Sequence, residues 1–135
     1  MTVPTSTVAV ALRITAVVNV AAALGALLAP DLNTALLFGP DVQLGGLLWR
    51  THILFWVSVL AMGLGYGLAA SDPERQTGLL LAGGIGKLGV AGVWAEMVIA
   101  GTAAPLLLAG VVFDAAFGLL FLVYVLPRLR PSTDH

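Results

Sequence analysis

Four stretches of the chain are long and apolar enough to cross a lipid bilayer, and the rest of the sequence lies between them. A membrane helix needs about 20 mainly apolar residues to cross ~30 Å of hydrocarbon. Residues 8–29, 42–70, 77–100 and 104–126 each meet this requirement. In the second stretch the apolar centre runs from residue 53 to residue 69. Turn-forming residues punctuate the runs: Pro30-Asp31, Ser71-Asp72-Pro73-Glu74-Arg75, residues 101–105, and Pro127, which is expected to close the fourth. Strands of a membrane barrel would be ~10 residues long with in–out alternation. These runs are longer and apolar all round. The expectation is an all-α, integral membrane four-helix bundle forming a single transmembrane domain over residues 1–135.

Composition excludes the competing classes. Of 135 residues, 59% are hydrophobic and 10% charged, where a soluble domain averages ~45–50% and ~25%. A soluble chain this short has too much surface for its volume to hide that apolar content. Disorder requires low hydrophobicity. The absence of cysteine removes disulfides and thiolate metal sites. A net charge of −1 offers no footprint for nucleic acid.

Residues 31–38 are too short to span. They read either as a short interfacial helix, with Leu32, Leu36 and Phe38 toward lipid, or as a plain loop. The first span is expected to be an uncleaved helix, because no Lys or Arg precedes its apolar run and Pro30 follows it closely. With four spans, the N-terminus, the 71–76 loop and the C-terminus share one side. That side carries Arg75, Arg128 and Arg130, with Arg13 nearest to it, against Arg50 alone on the other. The positive-inside rule therefore predicts cytoplasmic termini.

In lipid, helices associate through close packing and polar contacts. Small residues four apart supply stripes for this: Ala21, Gly25 and Ala29; Ala61, Gly65 and Ala69, with Gly63 and Gly67; Gly78, Ala82 and Gly86; Gly110 and Gly118, with Asp114 between them. Close contacts are expected through Gly65, Gly86 and Gly110. The run Gly84-Ile85-Gly86-Lys87-Leu88-Gly89 fits a dinucleotide fingerprint in letters only. That motif works after a strand, at the open start of a helix, and here it falls mid-span.

Charges within a membrane are costly and are candidates for function. At ~1.5 Å per residue, Asn19, Lys87 and Asp114 fall roughly 15–18 Å deep, near the midplane. Arg50, His52 and Glu96 fall at roughly 27–30 Å, near the far boundary. Arg13, about 7 Å in, can snorkel. Two layers follow. Lys87 is expected to pair with Asp114, with Asn19 nearby. Arg50 is expected to match Glu96, with His52 beside them. Lys87 and Glu96 are nine residues apart and sit on opposite helix faces. The midplane pair reads either as a structural brace or as a ligand or proton site. The outer layer reads as headgroup anchoring, with Trp49 and Trp94 as interfacial aromatics, or as a second site. His52 is the only histidine within a span, since His135 is near the C-terminal end, so no bis-histidine ligation forms within one chain. It reads as a hydrogen-bonded structural residue or a titrating group. No Gly-x-Ser-x-Gly or other nucleophile constellation is present. No catalytic residue, cofactor or metal is expected.

A proline-terminated first span, Arg50 entering the second, Asp72-Pro73 and Arg75 after it, and Gly83-Gly84-Ile85-Gly86-Lys87 in the third give a recognisable layout. It resembles the small bacterial DoxX-like membrane proteins and neighbouring four-helix families. The resemblance implies a bacterial inner-membrane protein and, in one branch, association with a quinone-linked oxidoreductase. It carries over no site residue. The leading expectation is a non-enzymatic bundle, either an accessory subunit or a binder of a small lipophilic molecule. A proton-coupled transporter using Lys87, Asp114 and Glu96 comes second, and an intramembrane isomerase third. The expected partners are the lipid bilayer and either another membrane protein or a second copy of the chain.

Overall fold

A computed structural model describes residues 3–129, which excludes Arg130 and His135. Five α-helices form, and no strand occurs among the described residues. They are α1 (Thr5–Leu28), α2 (Pro30–Phe38), α3 (Gly46–Ala69), α4 (Thr77–Ile99) and α5 (Leu107–Val125). All but α2 are long and apolar enough to cross a membrane.

The helix ends follow local chemistry. Pro30 cannot continue α1, but its fixed φ suits the first position of a new helix, so α2 starts there after a single linking residue. The 31–38 segment is therefore helical. Leu32 and Leu36 are exposed, whereas Phe38 is half-buried against His52. At the end of α4, Gly101 takes φ +73. Its N–H donates to Val98 and the Thr102 N–H donates to Met97, the paired bonds that close a helix with a left-handed residue.

Three boundaries differ from expectation. Residues 42–45 are not helical, so the second span begins at Gly46. The fourth begins at Leu107, because Pro105 lies in the preceding turn. Pro127 does not stop the chain, which tightens into a 3-10 turn at Leu126–Leu129. Proline lacks only an N–H that the first turn leaves free.

The helices pack as two tight pairs, α1 on α3 and α4 on α5, with sparse contact between α3 and α4 and between α1 and α5. Glycines set both tight crossings. A Cβ at Gly63 would lie 3.0 Å from Asn19 Cβ and Val20 Cγ2. A Cβ at Gly118 would lie 3.0 Å from the Gly84 carbonyl, and one at Gly84 3.1 Å from the Gly118 carbonyl. Gly110 is overlaid by the Trp94 ring. The expected role of Gly110 thus holds, while those of Gly65 and Gly86 need correction. A Cβ at Gly65 would make only ordinary 3.6 Å contact with Leu79, and one at Gly86 would meet nothing within 4 Å. Gly25 and Gly78 are also open, and Ala21 and Ala61 are exposed. On α4 the close backbone approach to α5 is at Gly84, while the neighbouring Gly83 leaves room for the Tyr66 side chain from α3.

One end of the bundle is solidly packed. Val8, Leu12, Tyr66, Leu80, Phe121, Tyr124 and Val125 form its core. The Thr5 hydroxyl donates to Glu74 at 2.8 Å and lies 3.3 Å from the Tyr124 hydroxyl. The start of α1, the 73–75 turn and the end of α5 therefore share this end, as four spans require. At the opposite end α2 is tied across to the α4–α5 connection, where the Ala104 N–H donates to the Leu37 carbonyl at 2.7 Å.

Candidate functional site

Two helix pairs joined by a core at one end and by α2 at the other leave space between them. That space is a cavity of about 700 Å³. Its walls are mostly apolar and include Val59, Met62, Val90, Leu107 and Phe113. Its polar lining is sparse: Asn19 from α1, Asn33 from α2, Ser58 and Tyr66 from α3, Lys87 from α4 and Asp114 from α5.

The Lys87 ammonium donates to an Asp114 carboxylate oxygen, joining α4 to α5 midway along both. The two side chains are 7% and 13% exposed. Phe113 and Tyr66 present their rings to the ammonium, with centroids at 5.0 and 5.9 Å. Cations are attracted by the electron-rich ring faces. A lone charge here would be strongly unfavourable in hydrocarbon; the pair and the rings offset that cost. Asn19, buried beside the Gly63 crossing, lines the same cavity, so the whole midplane layer faces one space. Tyr66 reaches it because Gly83 has no side chain: a Cβ there would collide with the Tyr66 hydroxyl. Among the described residues, neither the Asn19 amide nor the Tyr66 hydroxyl has a protein hydrogen-bond partner. Asn33 Oδ1 is buried without one.

The outer layer does not assemble as expected. Arg50 and Glu96 are both exposed and form no ion pair. The reason is the sparse α3–α4 contact: matched depth does not bring residues together when their helices do not pack. Arg13 is exposed on α1. His52 is separate from both charges and sits in an aromatic cluster. Its Nε2 accepts a hydrogen bond from Trp56 Nε1 at 3.2 Å, Trp49 stacks on it, and Phe38 meets it edge-on. Trp94 is not an interfacial residue on the outer surface. It packs on Phe55 and over Gly110, in the cavity wall. The Gly84–Gly89 run is continuous helix, with no open helix start for a phosphate.

Tyr66 and Asn33 escaped the sequence reading. Tyr66 carried a signal, because a tyrosine in an apolar run needs somewhere to put its hydroxyl. Asn33 carried none, since its segment read equally as a loop. No protein-family model, curated protein or solved structure matches the chain.

Proposed function

We propose that this protein binds a small lipophilic molecule with a polar head, taken from the bilayer into the cavity between the helix pairs. The observation that carries this reading is the cavity itself: about 700 Å³, with apolar walls and a few convergent polar groups at mid-depth. Sites for small molecules have this composition, with apolar surface for affinity and few polar groups for orientation. The sparse α3–α4 seam, where Ser58, Ala82 and Gly86 line the cavity and are exposed, supplies a route from lipid. The packed core around Tyr66, Phe121 and Tyr124 closes the far end. That favours a binder over a transporter, which needs a polar path to both sides. An accessory role beside an oxidoreductase, and a bacterial inner membrane as location, rest on the DoxX-like resemblance. Cytoplasmic termini rest on the arginine bias. Native mass spectrometry of protein released from membranes tests the reading. A co-bound lipophile that is lost in Gly86→Leu, which fills the cavity, supports it. Masses of both proteins that correspond to the bare chains, with no co-bound lipophile in either, contradict it.

A further inference from the structure

Lys87 is the only lysine in the chain, and the other five basic residues are arginines at positions 13, 50, 75, 128 and 130. The one primary amine carried by a side chain thus sits in the apolar cavity of about 700 Å³. If a brace to Asp114 were all that is required, arginine would supply a planar, permanently charged, bidentate partner. What lysine adds is the capacity to lose its proton and attack an electrophile.

We propose that Lys87 condenses reversibly with a lipophilic aldehyde or ketone held in the cavity, forming a protonated imine with Asp114 as its counter-ion. This rests on the lipophile-binding reading and names the ligand class. The geometry supplies each role. Asp114 already accepts a hydrogen bond from the ammonium, so it can take a proton and free the amine. The Lys87 nitrogen then bonds to the carbonyl carbon as the C=O π bond breaks, and a proton moves from nitrogen to oxygen. Asp114 returns its proton to the resulting hydroxyl, which leaves as water. The C=N bond forms, and the positive charge on nitrogen faces the regenerated carboxylate. One ammonium and one carbonyl become one iminium and one water, with nothing oxidised or reduced. The unpartnered Tyr66 hydroxyl and Asn19 amide are donors available to the carbonyl oxygen. Phe113 and Tyr66 flank the nitrogen and limit the water that would reverse the reaction.

Dodecanal with sodium cyanoborohydride, which traps imines as stable amines, tests this on the purified full-length protein. 1-Dodecanol, with the same tail and no carbonyl, serves as the binding control, read by tryptophan fluorescence. The expected result has three parts. Dodecanol binds saturably. Peptide mapping finds the dodecyl group on Lys87, formed at least tenfold faster than on the N-terminal amine. Dodecanol slows that labelling. In Lys87→Arg only the N-terminal amine is labelled, and in Gly86→Leu labelling of Lys87 falls at least tenfold. Saturable dodecanol binding with no Lys87 adduct, or with one no faster than at the N-terminus, overturns the imine while leaving the binding reading intact. Absence of saturable dodecanol binding together with absence of the adduct overturns both.

Discussion

Lys87 and Asp114 lie 27 positions apart in the chain, yet their side chains meet midway along two packed helices at the side of an apolar cavity. Removing one partner of a buried ion pair leaves the other charge without compensation, at a cost of about 3–5 kcal/mol. Lys87→Met and Asp114→Leu should each destabilise the bundle by that order. The double variant should cost much less than their sum, since the interaction is counted once. Equilibrium unfolding in mixed micelles of the four proteins measures the coupling. Simple additivity would mean that the pair does not form.

The glycines separate into two classes. Gly84→Ala and Gly118→Ala push a methyl into the backbone of the facing helix, so each should cost roughly 1–3 kcal/mol by overpacking. Gly86→Ala adds the same methyl where nothing lies within 4 Å, and should leave stability unchanged or slightly raised by better helix propensity. Thermal unfolding in detergent distinguishes them. Equal losses at all three positions would show that α4 packs on both faces.

The number and approximate length of the spans were legible in the sequence, because a 20-residue apolar run has few other uses. The midplane pair was legible too: consecutive antiparallel helices usually touch, and α4 and α5 do. The same reasoning failed for Arg50 and Glu96. Their helices are also consecutive, but α3 packs on α1. Residue spacing along one helix says nothing about which helix will be its neighbour. The small-residue stripes had the same defect. Gly78, Ala82 and Gly86 share a face, but that face borders a cavity, and the close approach belongs to Gly84 and Gly118.

Arg50 and Glu96 should respond to substitution independently. Arg50→Gln and Glu96→Gln, alone and together, should be additive to within about 0.5 kcal/mol, as for residues that share no partner. A coupling above 1 kcal/mol would show that the two side chains meet.

The shared end formed by Thr5, Glu74 and Tyr124 fixes relative topology, and the arginines at that end predict its side. Reporters fused after Leu126 and after Asp41 should give opposite signals, with the Leu126 fusion cytoplasmic. Opposite signals in the reverse sense would overturn the orientation, and matching signals the four-span topology.

A binding site between the helix pairs would bring a lipophile against indole rings. Trp56 and Trp94 both line the cavity, and the third tryptophan, Trp49, does not. Bromine quenches indole fluorescence only at contact. Titration of a Trp49→Phe background with 12-bromododecanol should therefore give saturable quenching. The same titration in Trp49→Phe with Gly86→Leu should lose the saturable phase while the protein stays folded. Linear, non-saturating quenching of equal slope in both proteins would place the bromoalkane in bulk detergent and contradict the account.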